Sequence, residues 1–157
     1  MSGEKLILPL AAIRPDDIDL AGGKGCALAR LEREGIRVPF TIVVTTGAYQ
    51  LFVDTHGLQE RIFLELNRKA FADMRWEESW DAALRIRNLF LTHPLPPALD
   101  HQLQDSLDRR FADRAAVIRS SAPQEDSAAA SFAGIHESYV NVRGRARIVD
   151  HVRRVWA

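Results

Sequence analysis

Two short stretches of this sequence combine cationic side chains, which bind phosphate, with small residues that let the backbone approach a ligand. The first covers residues 21–25, AGGKG, and the second covers residues 116–134, AVIRSSAPQEDSAAASFAG. Lys24 supplies the positive charge of the first stretch and Arg119 that of the second. An arginine fork can hold two phosphate oxygens at once, and main-chain N–H groups beside glycine supply further donors. These residues therefore suit the binding of a phosphorylated anion.

The second stretch predicts a strand that ends at the ligand. Val117 and Ile118 are branched apolar residues typical of a buried strand, so Arg119 would project from the strand's end. Ser120 and Ser121 follow as two hydroxyl donors. The alternative is an ordinary strand before an alanine-rich helix, with Arg119 pairing with a surface acid. Short motifs have high false-positive rates, so these residues alone leave both interpretations open.

The first stretch predicts the beginning of a helix. The residues after it, CALARLEREG, place leucines at helical spacing, and Gly35 predicts the C-terminal stop. A lysine in the first turn lies at the positive end of the helix dipole, which costs roughly a few tenths of a kcal/mol unless an anion is close. Lys24 is therefore expected beside a phosphate, with Gly22 and Gly23 allowing the backbone to approach. The spacing is not that of a Walker loop, and a glycine-rich turn with an exposed lysine is the alternative.

Both stretches resemble the N-terminal nucleotide-binding domain of the phosphoenolpyruvate synthase and pyruvate phosphate dikinase family. In that family Gly-Gly-Lys precedes an amphipathic helix, and Arg-Ser-Ser-Ala, a Glu-Asp pair and Ser-Phe-Ala-Gly recur at the spacing seen here. The resemblance implies that the chain binds ATP and that Lys24 and Arg119 act on its phosphates as the catalytic cations. It further implies nucleotide contacts from Gly22, Gly23, Ser120, Ser121, Gly134 and Ser138.

The resemblance also implies a reaction. In the family the β-phosphoryl group of ATP passes to a carrier histidine on another domain, AMP remains, and the phosphohistidine phosphorylates the acceptor. Phosphoryl transfer needs positioning and charge neutralisation more than covalent help, which suits Lys24 and Arg119. The expected partners are ATP and the carrier-histidine and pyruvate or phosphoenolpyruvate domains of a full-length chain. The 157 residues alone are expected to be inactive.

Magnesium is expected as a cofactor, with its acidic ligands in a second lobe of the nucleotide domain that this chain lacks. Glu125 and Asp126 match the family's acidic pair, and either metal contact or capping of the loop would account for them. Capping is the preferred interpretation, so no metal ligand is assigned within this chain.

Two other functions remain open. The chain can instead be a non-catalytic regulatory or interaction module that kept the fold and lost ATP. It can also be the front portion of a rifampicin phosphotransferase-like enzyme, because those enzymes carry a related domain and the acceptor domain is missing here.

Length, composition and charge limit the classes of protein and of partner that this sequence allows. A length of 157 residues with 46% hydrophobic and 27% charged residues predicts one soluble globular domain. Basic and acidic residues both number 21, so the global charge indicates neither a nucleic-acid nor a membrane partner. No apolar run approaches the ~20 residues of a membrane helix. The single cysteine suits a cytoplasmic location.

The elements that must position these residues are predicted to form an α+β fold, the first lobe of an ATP-grasp-like nucleotide-binding domain. A small mixed sheet covered by helices would carry strands at residues 6–8, 41–45, 117–119 and 139–142. A helix is expected to begin near Thr46, with Thr46 as its N-cap. The chain 1–157 is expected to be a single partial domain.

Residues 57–113 are expected to form a helical insertion that serves as scaffold. Apolar residues at steps of three and four predict which faces are buried. The residues expected on these faces are Ile62, Phe63 and Leu66; Trp76, Trp80, Ala83, Leu84, Arg87 and Leu91; and Leu99, Leu103, Leu107 and Phe111.

Overall fold

The computed structural model describes residues 5–111, 114–123 and 137–157. The first half contains β1 Ile7–Pro9, α1 Ile18–Arg33, β2 Ile42–Val44, α2 Thr46–Thr55 and α3 Leu58–Leu66. The second half contains α4 Trp76–Thr92, α5 Pro97–Arg110, β3 Ala116–Arg119, β4 Ser138–Val142 and α6 Arg145–Trp156. Short 3₁₀ turns occur at Leu10–Ala12 and Phe71–Asp73. The mixture of helices and strands agrees with the predicted α+β class.

The strands form two separate antiparallel pairs. β1 pairs with β2, with Leu8 opposite Val43, and β3 pairs with β4, with Ile118 opposite Tyr139. Within the described ranges no hydrogen-bonded ladder joins the two pairs. The predicted strand positions are therefore right to within one residue at each end, but the single mixed sheet is wrong. A run of branched residues indicates a strand without indicating its partner.

The described residues form two hydrophobic clusters. The larger is built mainly on α2, α5 and α6, and its largest fully buried side chains are Phe52, Leu58, Leu99, Leu103 and Val142. The smaller lies between β1, α1 and β2 and contains Leu8, Leu10, Ile13, Ala21, Cys26, Ala29 and Val43. The predicted leucine face of α5 is confirmed. Of the helices in the described ranges, none has the length and apolar character needed to cross a membrane.

The helix α4 turns its tryptophans toward solvent, contrary to the sequence prediction. Trp76 is 68% exposed and Trp80 60% exposed, and their rings stack on each other with centroids 6.0 Å apart. The buried face instead carries Ala82 and Phe90. Both faces have helical spacing, so periodicity alone cannot choose between them. The packing of α4 against α3 and α6 decides it.

In helix α3, too, periodicity alone did not predict the buried face. Phe63 is 62% exposed and Leu66 58% exposed, so the face predicted for them is wrong. Leu58 is fully buried instead, and Ile62 packs against the larger cluster. These two residues are four positions apart and therefore lie on one side of the helix.

The ends of α1 and α2 are fixed by local hydrogen bonds. Gly35 has φ +78° and follows α1, while Ile36 N–H donates to Leu31 O at 3.0 Å, as in a Schellman motif. The predicted glycine stop is confirmed. The N-cap of α2 is Thr45, whose Oγ1 accepts from Ala48 N–H at 3.3 Å, so the prediction of Thr46 is wrong by one residue.

Candidate functional site

The helix α1 is broken inside the glycine-rich stretch. Gly22 has φ 70° and ψ 171°, a conformation that only glycine adopts at little cost, and helical geometry resumes after it. Lys24 therefore lies in the first turn of the segment that follows the break, as predicted. An additional helical turn that begins at Ile18 precedes the break, and the sequence pattern did not indicate it.

Three hydrogen bonds attach this break to the residues that follow β3. Gly25 N–H donates to Ser121 Oγ at 3.0 Å, and the Ser121 hydroxyl donates to Ala21 O at 2.7 Å. Gly23 N–H donates to Ala122 O at 3.3 Å. Gly25 and Ser121 are 96 positions apart in sequence, so this contact is a product of the tertiary fold. It places the Lys24 segment directly against the segment that continues from Arg119.

The closeness of the two segments requires glycine at position 22. A Cβ there would lie 1.8 Å from the carbonyl oxygen of Ser121 and 2.5 Å from its Oγ. A Cβ at Gly25 would meet Ala21 Cβ at 3.2 Å, which is tight but not forbidding. Gly22 thus serves a close approach of two backbones, a role in addition to the nucleotide contact predicted for it.

The pairing of β3 with β4 adds another predicted residue to the region. Ser138 lies directly opposite Arg119 in the register, and both residues are exposed. Directly opposed residues of an antiparallel pair project from the same face of the sheet. Val117 and Val140 are exposed on these strands at 60% and 71%. A face that carries a cation and a hydroxyl thus borders the α1 break.

The structure therefore gathers most of the residues that were predicted to bind nucleotide. The backbone contacts and the strand register bring together Gly22, Gly23, Lys24, Arg119, Ser120, Ser121 and Ser138. Gly134 and the acidic pair Glu125 and Asp126 lie outside the described residues. Sequence reasoning missed Ala21 and Ala122, which take part through their carbonyl oxygens. Every residue carries such a carbonyl, so no pattern of side chains could have indicated them.

The acidic, histidine and cysteine side chains of the described residues decide whether this region could hold a metal ion. Within the described ranges no group of three or more His, Cys, Asp and Glu side chains is arranged to hold a metal ion. Cys26, in the first helical turn after Lys24, is buried in the smaller cluster, and this burial raises the pKa of its thiol. Such a thiol is a core residue and a poor metal ligand at neutral pH. The described part of the site therefore offers no set of acidic ligands for Mg²⁺.

A groove of about 450 Å³ lies elsewhere, between α2 and α3. Val53 and Phe63 line its apolar part. The charged side chains that line it are Asp54 and Glu60, both acidic. These carboxylates would repel a polyphosphate, so this groove does not compete with the cationic region as a phosphate site.

The part of the chain that is similar to known proteins includes both of these stretches. Residues 18–157 match the family model described as pyruvate phosphate dikinase, AMP/ATP-binding domain. A probable phosphoenolpyruvate synthase of Staphylothermus marinus is 33% identical over 98% of this chain, and the phosphoenolpyruvate synthase of Aeropyrum pernix is 36% identical over 98%. A rifampicin phosphotransferase of Streptomyces sviceus is 36% identical over 98%.

The matched region is a small part of each relative. It covers 19% of both synthases and 18% of the phosphotransferase, so the chain spans about a fifth of the length of these curated relatives. The family model begins at Ile18, the first residue of α1, and includes both stretches that were predicted to bind phosphate. The chain belongs to the family of AMP/ATP-binding domains of pyruvate phosphate dikinase and phosphoenolpyruvate synthase-like proteins.

Proposed function

We propose that this chain binds ATP at the α1 break and that Lys24 and Arg119 hold its phosphates. The observation that carries the proposal is the hydrogen-bonded contact of residues 21–25 with Ser121 and Ala122. This contact brings two cation-bearing segments from opposite ends of the chain to one place. The family's description as an AMP/ATP-binding domain supports the choice of nucleotide.

The chemistry of the donors suits a polyphosphate. Arg119 is exposed at the end of β3 and offers the planar fork of N–H groups that matches two phosphate oxygens. Lys24 adds a second positive charge at the beginning of a helical segment, where the helix dipole also favours an anion. Ser138, opposite Arg119, supplies a hydroxyl on the same face. These groups bind and orient the phosphates and neutralise their charge.

In the full-length protein we propose that the chain serves a phosphotransferase. The β-phosphoryl group of ATP would pass to a carrier histidine on another domain and leave AMP. The synthase names of the relatives from Staphylothermus marinus and Aeropyrum pernix support this class. Mg²⁺ would take part through ligands outside the described residues. The helices at 57–113 then serve as a scaffold inserted into the nucleotide domain.

Rifampicin is a second candidate acceptor. The Streptomyces sviceus rifampicin phosphotransferase and the Aeropyrum pernix synthase are both 36% identical to this chain, so this region does not discriminate between acceptors. The full-length protein would be assayed for AMP formation from ATP with pyruvate and, separately, with rifampicin. Formation of ADP in place of AMP would contradict the proposed transfer of the β-phosphoryl group.

Calorimetric titration of the full-length protein with Mg-ATP tests the binding step. We expect Lys24→Ala and Arg119→Ala each to weaken binding roughly tenfold or more, because each removes a charge-assisted contact. Arg37→Ala is the matched control, since Arg37 is exposed between α1 and β2 and lies beyond the far end of α1 from the break. Unchanged affinity in the two site variants would contradict the proposal. A full-length wild-type protein that does not bind Mg-ATP would favour the non-catalytic module.

A further inference from the structure

The break in α1 coincides with a side chain inserted into the helix from another part of the fold. In an unbroken helix the N–H of Gly25 would donate to the carbonyl of Ala21, four residues earlier. Here the Ser121 hydroxyl stands between the two groups, accepting from Gly25 N–H at 3.0 Å and donating to Ala21 O at 2.7 Å. Insertion of a side chain into the hydrogen-bond ladder is a known cause of helix kinks.

A second pair of groups opened by the break is also satisfied from outside α1. Gly23 N–H would reach Asp19 O in an unbroken helix, but it donates to Ala122 O at 3.3 Å. Asp19 O accepts the Thr46 hydroxyl at 2.7 Å. The segment after β3 and the first residue of α2 thus supply the hydrogen-bond partners that the helix lacks at the break. This matching indicates that the break is a built feature of the fold.

The hydroxyl proton of Ser121 is already used in this arrangement. A serine hydroxyl has one proton, and Ser121 donates it to Ala21 O. While this contact holds, Ser121 has no proton to donate to a phosphate oxygen. A nucleotide contact of Ser121, as the resemblance implies, would therefore have to come from a group other than its hydroxyl hydrogen.

We propose that Ser121 is a positioning residue that sets where Lys24 lies relative to Arg119. Its hydroxyl keeps Gly25 N–H and Ala21 O from bonding to each other and so maintains the break in α1 at Gly22. Because Ser121 is only two residues after Arg119, this contact also links the position of Lys24 to that of Arg119. The proposal rests on the proposed ATP site and adds a specific cause for its geometry. Without the hydroxyl, Gly25 N–H and Ala21 O regain each other as partners, and Lys24 moves with the helix.

The first test examines the break without nucleotide. Backbone ¹³C chemical shifts of residues 21–25 report helical or non-helical geometry in the whole chain. We expect these shifts to move toward helical values in Ser121→Ala and to stay near wild type in Ser121→Thr, which keeps the hydroxyl. Ser106→Ala is the matched control, because Ser106 donates only a local bond to Gln102 O at 2.9 Å within α5. Unchanged shifts in Ser121→Ala would overturn the positioning role.

The second test measures, by calorimetry, the Mg-ATP affinity of the same variants made in the full-length protein. We expect Ser121→Ala to bind about tenfold more weakly, and Ser121→Thr and Ser106→Ala to bind as the wild type does. Tighter binding by Ser121→Ala would mean that the hydroxyl competes with the ligand, and equal binding that it does not position the site. Either result overturns the proposal. A full-length wild-type protein without affinity for Mg-ATP would overturn the proposed function, while the chemical shifts would still decide the origin of the break.

Discussion

The carbonyl oxygen of Ser121 lies 1.8 Å from the position that a Cβ of residue 22 would occupy, so Gly22 and Ser121 are in direct backbone contact. This contact joins the helix that carries Lys24 to the strand that carries Arg119. The addition of a single methyl group at Gly22 is therefore expected to be costly.

Gly22→Ala is expected to destabilise the chain by about 2 kcal/mol or more, because the methyl group meets backbone and the φ of 70° is strained for alanine. Urea unfolding measures the change. Gly35→Ala is the control, since Gly35 has φ +78° but nothing within 4 Å of its Cβ position. It isolates the backbone strain, which we expect to cost only about 1 kcal/mol. Equal losses in the two variants would show that the contact with Ser121 is unimportant.

Thr45→Val is expected to lower the free energy of unfolding by about 1–2 kcal/mol. Thr45 is 2% exposed, and its hydroxyl both caps α2 and donates to Leu6 O at 3.2 Å. Thr55→Val provides the comparison, because Thr55 is exposed and bonds only to Leu51 O within its own helix. We expect that variant to stay within about 0.5 kcal/mol of wild type. A similar loss in both would assign no special role to the cap.

The carboxyl group of Glu78 is expected to titrate at about pH 2. Its pKa is lowered first by the N–H of Arg75, at 2.8 Å, and then by Lys69 Nζ, at 2.9 Å. Because the folded pKa lies below the ordinary 4.5, the stabilisation of α4 is complete above pH 4.5 and is lost as the pH falls through about 2. An NMR titration of the Glu78 side-chain carbonyl measures the midpoint.

A variant of Lys69 separates the two causes. Lys69→Gln removes the ammonium charge and leaves the Arg75 N–H in place, so the Glu78 pKa should rise but remain below 4.5. A wild-type midpoint near 4.5 would contradict the geometry of this N-terminal turn.

Trp76→Ala and Trp80→Ala are each expected to change the free energy of unfolding by less than about 1 kcal/mol. Both rings are mostly exposed and stack chiefly on each other. Phe52→Ala, at a fully buried position, should cost about 3–5 kcal/mol because it leaves a cavity. Denaturant midpoints of the three variants provide the measurement. A loss in either tryptophan variant comparable to that of Phe52→Ala would contradict the exposed position of α4's outer face.

Much of the local structure could be predicted from the sequence. The strands, the glycine stop at Gly35 and the leucine face of α5 follow from residue types within a few positions of each other. Such features depend on local φ and ψ preferences and on periodicity, which short stretches encode. The motifs around Lys24 and Arg119 also identified the family before any contact was known.

The tertiary structure alone decided the pairing of the strands, the buried face of α4 and the attachment of Ser121 to α1. Each of these depends on groups far apart in sequence, and helix α4 offers two apolar stripes between which only its neighbours choose. Ser121 bonds to a backbone carbonyl and a backbone N–H. Almost every residue carries both groups, so the sequence does not indicate which of them Ser121 will contact. The sequence indicated which residues are chemically suited to hold phosphate, and the packing of the described residues brought the segment that carries Lys24 into contact with the segment that follows Arg119.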